Sequence, residues 1–310
     1  MQTIFYGAPG TGKSYKIDTD ILSGVSTDHI FRVTFYPDFS YSDFVGQLLP
    51  SVRPSAVPGG ASTITYEFQK GVFTQALEKA YENNAIDVYL VIEEMSRGDC
   101  AAIFGDIFQL LDRSKTGADA GYSRYFINNE LISKDIVALP GNTVKLPANF
   151  HILGTVNTSD QNVFVMDTAF KRRFEWEYVS PDPVPVAGTP GTYENNVDIE
   201  INDGAAIRTI TWVDFYQKLN EFIADDRYLD LGEDKQLGPF FIEFDMSGTL
   251  ADHKRQIKNK LLNYLWTDVH KASFKSDIRL FKSDIGTFKK LYEEFQLDHQ
   301  IFSDAFLSII

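Results

Sequence analysis

A single cysteine, Cys100, in 310 residues excludes an internal disulfide, a zinc site built on paired thiols and a C-x-x-C redox couple. Long apolar runs are missing too: none approaches the roughly 18 residues that a membrane-crossing helix requires. Basic residues are scarce, with 29 Lys and Arg against 43 Asp and Glu and a formal net charge of −14. So acidic a surface repels phosphate backbones and disfavours broad, nonspecific nucleic-acid affinity. The five histidines (His29, His151, His253, His270 and His299) show neither H-x-x-x-H nor H-E-x-x-H spacing, and no G-x-S-x-G elbow occurs. A dedicated zinc site or a hydrolase triad is therefore not expected. The N-terminus lacks a basic stretch followed by an apolar core, so the expected setting is the reducing cytoplasm, with no membrane partner.

The length suffices for one large domain or for a large and a small one. Residues 1–6 are a short apolar run ending at Gly7, suited to a buried parallel strand, and residues 30–35, 87–92 and 149–156 read the same way. Helical patterns fall over 13–22, 41–49, 71–82 and 101–111. Strands separated by helices predict an α/β layer with a largely parallel sheet. Residues 113–146, with Gly117, Gly121, Pro140 and Gly141, read as a hairpin-like excursion from it. Composition changes at Ser180: Pro181, Pro183, Pro185 and Pro190, with Gly188 and Gly191, mark a loop or linker. Beyond it, 212–223 and 256–270 are amphipathic and helical. The expected division is a large α/β domain over 1–180, a linker or insertion over 181–210 and a smaller helical domain over 211–310. A short echo, FKSDI at 274–278 and again at 281–285, reads as one face of a helix pair or a turn.

The strongest chemical signal is Gly7-Ala8-Pro9-Gly10-Thr11-Gly12-Lys13-Ser14, a full G-x-x-x-x-G-K-[ST] that follows a strand and opens a helix. Its glycines let backbone N–H groups turn inward around phosphate oxygens, and the helix N-terminus adds partial positive charge. Lys13 is placed to reach the β- and γ-phosphates and the Ser14 hydroxyl to ligate Mg²⁺; Tyr15, next in line, joins the nucleotide-binding set. The 87–92 strand ends in two carboxylates, Glu93 and Glu94. The first suits the Mg²⁺ shell and the second the polarisation of an attacking water, with Glu93 one methylene longer than the usual Asp. Asn157, closing the 149–156 strand, offers a neutral amide for the γ-phosphate and the water; otherwise it is a turn former. Lys171, Arg172 and Arg173 form a basic cluster in an acidic chain: a solvated helix face, a docking patch, or guanidiniums donated to a neighbouring subunit's nucleotide. Cys100 and the aromatic stretches 36–44 and 237–244 read as packing.

Taken together, GAPGTGKS, YPDFSYSDFVGQLLP (36–50), YEFQKGVF (66–73), VIEEMSRGDCAAIFGDIFQLLDR (91–113), LGTVNTSD (153–160), MDTAFKRRF (166–174), KQLGPFFI (235–242) and NKLLNYLWTDV (259–269) resemble, in order, the AAA+ module of McrB-type proteins. The resemblance runs from residue 1 to about 270. It implies an AAA+ P-loop core with a helical lid, and a hexameric ring that hydrolyses GTP with Mg²⁺ and is stimulated by an McrC-type endonuclease. Lys13 and Ser14 resemble the Walker A pair, Glu93 and Glu94 the Walker B acids, and Asn157 the polar sensor. Arg172 and Arg173 fall where the family places arginines that act across a subunit boundary, and Arg97 holds the related position after the acids. Two departures stand out: Glu93 replaces Asp, and Gln161 stands where the family signature has arginine. Members of the family usually carry an N-terminal DNA-reading domain, so DNA contact is expected only indirectly, through a missing domain or another subunit.

The expected catalytic set is thus Lys13, Glu94, Asn157, Arg172 and Arg173, with Ser14 and Glu93 toward the metal. No N-K-x-D guanine-reading motif occurs, so GTP rests on the resemblance alone. An ATP-dependent remodeller of the MoxR type, and a nucleotide-gated scaffold with weak hydrolysis, remain the alternative readings.

Overall fold

The computed structural model describes residues 1–53, 62–136, 138–139, 141–159, 164–275 and 278–310. Five strands form the central sheet: β1 (Gln2–Gly7), β2 (Ile30–Thr34), β3 (Val88–Glu93), β4 (Phe150–Asn157) and β5 (Glu175–Tyr178). Their spatial order is β2-β3-β4-β1-β5. β2 and β3 pair in parallel from Ile30 opposite Tyr89 to Thr34 opposite Glu93, and β3 and β4 from Val88 opposite Phe150 to Ile92 opposite Gly154. Ile152 N–H donates to Met1 O and Thr158 N–H to Gly7 O, the same sequence offset at both ends, so β4 and β1 also run parallel. The carboxyl ends of β1, β3 and β4 therefore share one edge of the sheet, where open α/β folds gather their ligands.

The chain divides into two compact units. The first comprises Met1–Tyr6, Ser14–Val156 and Asp160–Glu177. Its core is dense in phenylalanine: Phe44, Phe104 and Phe170 follow one another in tilted and edge-to-face contacts with ring centroids 5.0 and 5.2 Å apart, against the buried Phe35, Phe73 and Phe150. In β3, Val88, Leu90, Val91 and Ile92 are wholly buried, which is why its sequence is nearly unbroken apolar. The helix Val72–Glu82 buries Phe73, Ala76, Leu77 and Ala80, an i, i+3, i+4, i+7 stripe.

Two helical expectations give way to backbone geometry. Over 41–49 only Tyr41–Phe44 is helical, capped by Ser40 and Asp43. Gly46 (φ +127°) then turns the chain into a strand, Gly46–Arg53, antiparallel to Thr63–Lys70. A Cβ on Gly46 would lie 2.4 Å from Gln69 O, so that turn depends on glycine. Over 101–111 the helix Cys100–Phe104 stops at Gly105 (φ +49°) and resumes as a tighter turn over Gly105–Leu111. The 113–146 excursion holds an Arg113–Ser123 bridge and a two-residue ladder, Ile127–Asn128 with Thr143–Val144. Pro140 lies outside the described residues.

Arg113 ties that excursion to the sheet. Its guanidinium donates to the carbonyls of Gly121 (2.8 Å), Leu146 (3.2 Å), Pro147 (2.9 Å) and Phe150 (2.8 Å) and to Gln2 Oε1 (2.7 Å). Burial pushes this guanidinium down to about 10, because removal from water disfavours its charge.

The second unit comprises Gly7–Lys13, Asn157–Ser159 and Tyr178–Ile310. Within 181–210, where composition marks a linker, Asp198–Asn202 and Ile207–Thr211 pair as an antiparallel hairpin. Its alternate residues Ile199 and Ile201 are buried, a period-two pattern that five residues of DIEIN carry too briefly to stand out. Thr211 caps the helix Trp212–Ala224, whose buried Phe215 and Phe222 meet Phe302 and Phe306 in a core shared with Trp212, Tyr216, Leu219 and Phe281. Helical turns run from Leu250 to His270, followed by Phe288–Gln296 and Asp304–Leu307. Of the FKSDI echo, Phe281 and Ile285 are buried in this core, while residues 276–277 of the first copy lie outside the described residues. Among the described residues no helix is long and apolar enough to cross a membrane.

Replacing Arg113 by alanine would strand several buried carbonyls at once. A loss of roughly 3 kcal/mol or more is expected, read as a lower urea midpoint in equilibrium unfolding.

Candidate functional site

The loop between β1 and the helix that opens at Lys13 is shaped by glycine. Gly10 (φ +76°) and Gly12 (φ +84°) lie in the left-handed region, which turns successive peptide N–H groups toward one side. Lys13 is buried, and its ammonium donates to the carbonyls of Gly7 (3.2 Å) and Ala8 (2.8 Å), so the loop itself holds the cation in its hollow. The Thr11 hydroxyl donates to Ala8 O (3.1 Å) and closes the turn. Thr158 N–H donates to Gly7 O at 3.1 Å, which ties the end of β1 to the residue following Asn157.

A second segment clamps this loop. Gly238 N–H donates to Pro9 O (2.9 Å) and Phe240 N–H to Gly10 O (2.8 Å). The approach is so close that a Cβ on Gly238 would sit 2.3 Å from Gly10 C and Thr11 N, and one on Gly10 would sit 2.3 Å from Phe241 N. The aromatic stretch 237–244 is thus only partly packing: Leu237, Ile242 and Phe244 are core, while Gly238–Phe241 grips the loop.

The acid pair follows at the end of β3. Glu93 Oε2 accepts from the Ser14 hydroxyl at 2.9 Å and from the Thr155 hydroxyl at 2.6 Å, while Oε1 accepts from Arg32 at 2.6 Å. Arg32 also pairs with Asp18. The extra methylene of glutamate is therefore taken up in a direct contact with Ser14, with donors fixing both carboxylate oxygens. Glu94 has a left-handed backbone (φ +54°, ψ +44°), a conformation costing a non-glycine residue about 1 kcal/mol or more. Its N–H donates to Thr155 Oγ1 at 3.1 Å, and its carboxylate lies 3.5 Å from Arg97 Nε. One buried threonine thus touches both acids. Among the described residues no cluster of three His, Cys, Asp or Glu side chains could hold a metal. The oxygens of Ser14 and Glu93 nonetheless suit a hard cation such as Mg²⁺, which keeps most of its waters and phosphate ligands.

The adjacent arginines part company. Arg173 is half-buried, its side chain only 9% exposed, paired with Asp112 at 2.7 Å, donating to Ala169 O at 2.6 Å and lying 3.9 Å over the Phe108 ring. Arg172 is exposed and lines a cavity with Arg113, Lys115 and Arg124. Tyr15 is half exposed in the first helical turn. Gln161, with Asp160 and Asn162, lies outside the described residues.

Residues 2–174 match the AAA domain of the dynein-related subfamily. The chain is 33% identical over 323 residues to the Type II restriction enzyme BsuMI component YdiS of Bacillus subtilis (strain 168), covering 97% of this chain and 87% of that protein. It is 23% identical over 181 residues to the Type IV methyl-directed restriction enzyme EcoKMcrB subunit of Escherichia coli (strain K12), over 57% of this chain and 35% of that protein. The chain belongs to the McrB-type AAA+ family.

For this AAA+ chain, the sequence singles out the loop and the acids but not Thr155, Arg32 or the Gly238 clamp, which the structure sets against them. Thr155 had a signal: it stands two residues before Asn157 on one strand, hence on the same face. Arg32 had only its place on a neighbouring strand, which no local pattern reveals.

Because backbone fills the space on both sides of the clamp, Gly10→Ala and Gly238→Ala are each expected to lower stability by roughly 1–3 kcal/mol. Gly286→Ala, with open space around it and no left-handed backbone to strain, serves as the control in the same urea titration.

Proposed function

We propose that this chain is a Mg²⁺-dependent nucleoside triphosphatase that takes GTP, works in the cytoplasm as a ring, hexameric as in its family, and drives an McrC-type endonuclease. The observation that carries the reading is the Ser14–Glu93–Thr155–Glu94 network, which joins the helix after the phosphate loop to the acids ending β3. Loop amides and the helix N-terminus hold the triphosphate, and Lys13 exchanges loop carbonyls for phosphate oxygens. Ser14 and Glu93 would supply the protein-side oxygens for Mg²⁺, which when bound would offset charge on the transferring phosphoryl group. Glu94, held by Thr155 and Arg97, orients and deprotonates the attacking water, and Asn157 supports that water without adding charge. Arg172 is the cation offered to a neighbouring subunit; Arg173, engaged with Asp112 and Phe108, positions it. The GTP preference and the endonuclease partner rest on the kinship with the restriction subunits. DNA reading is assigned to another domain or subunit, consistent with the charge of −14.

With Mg²⁺ present, calorimetry is expected to register GTP uptake by the wild type and none by Lys13→Ala. Glu94→Gln should keep uptake while turnover falls about 10²- to 10⁴-fold. Side-by-side GTP and ATP turnover tests the base preference, and faster ATP turnover would overturn it.

Arg172→Ala is expected to lower turnover about 10³-fold without weakening uptake, whereas Arg173→Ala should lower the unfolding midpoint. Turnover per subunit should fall on dilution through the assembly range; a flat rate would exclude the contribution across the boundary.

A further inference from the structure

In a chain carrying −14, one cavity of about 550 Å³ is lined chiefly by cations: Arg113, Lys115, Arg124 and Arg172, with the hydroxyl-bearing Ser114 and Thr116 and a single acid, Asp112. Asp112 is committed to Arg173 at 2.7 Å. Among the described residues Lys115, Arg124 and Arg172 form no ion pair. Arg113 spends its donors on four carbonyls and one amide oxygen, all neutral, so among the described residues its half-buried charge pairs with no carboxylate. Five like charges counting Arg173, against one carboxylate, give the bay a positive potential that only an external anion relieves. Forked guanidiniums, a lysine and a hydroxyl match an anion with several charged oxygens, and the volume exceeds the needs of one carboxylate.

The geometry points to a second phosphate-binding site in this bay, in which Lys115 and Arg124 share a multiply charged phosphate group with Arg172. Its source is either the terminal phosphates of a nucleotide held by a second copy of the chain or a free polyphosphate. The first source rests on the function proposed above, since Arg172 is there the cation offered to a neighbour. In that arrangement the bay of one copy meets the phosphate loop of the next, a heterologous contact of the kind that builds rings.

Two measurements on the full chain test it. In the first, sedimentation follows self-association driven by a nonhydrolysable GTP analogue, for wild type, Lys115→Ala/Arg124→Ala and Arg124→Lys. The double variant is expected to need at least tenfold more protein for half-maximal assembly while its own nucleotide uptake is unchanged, and Arg124→Lys to recover part of the loss. In the second, tripolyphosphate is titrated by calorimetry into Lys13→Ala, which disables the phosphate loop, with and without the double variant. Uptake abolished by the double variant, with assembly unaffected, supports the bay as a site for free polyphosphate. Neither assembly nor tripolyphosphate uptake changing would overturn the proposal. So would loss of binding to a short DNA duplex with both other readings intact, which would make the bay a nucleic-acid surface. Should wild type take up no nucleotide at all, the proposed function fails while the tripolyphosphate titration still decides the bay.

Discussion

A carboxylate at the end of a strand with no watered face must find donors or lose its charge, and the first unit is arranged around that demand. Glu93 ends β3, where the three preceding residues, Leu90, Val91 and Ile92, are sealed from solvent, and it accepts from Ser14, Thr155 and Arg32. Those donors come from three different segments: the helix after the glycine loop, strand β4 and strand β2. Fixing one charge therefore sets the mutual register of the segments that supply them. Glu94 inherits the arrangement, because the threonine that donates to Glu93 also accepts from the Glu94 amide and steadies its left-handed backbone.

The second unit solves a different problem. A loop that turns its amides inward aims its carbonyls elsewhere, and those carbonyls need partners. Lys13 takes two of them, and the Gly238–Phe241 segment takes two more through its own amides. Facing glycines allow the backbones to approach this closely, so the shape of the loop is written partly in residues more than two hundred positions away.

What could be read from the chain beforehand follows from how local each feature is. Strands at 87–92 and 149–156 stood out because burial on both faces demands nearly unbroken apolar runs, and 30–35 because of its β-branched and aromatic content; the structure places all three within a residue or two. The glycine loop was legible because its chemistry is contiguous. The 41–49 helix was misread because Gly46 looks harmless until its pairing partner is known, and the hairpin at 198–211 because its alternation is brief and follows a proline-rich stretch. Arg32, Arg113 and the Gly238 clamp act through contacts across the sheet or across the chain, which periodicity does not encode. Arg172 and Arg173 looked equivalent in sequence; only the Asp112 carboxylate and the Phe108 ring distinguish them.

That distinction limits reach. With Arg173 pinned by a carboxylate beside its guanidinium and a ring beneath it, the peptide carrying Arg172 has a fixed anchor one residue away. Its guanidinium can sweep no farther than its own methylene stem allows. Whatever anion it serves has to be delivered to it, so the timing of any such encounter belongs to the arriving surface and not to a swinging arm.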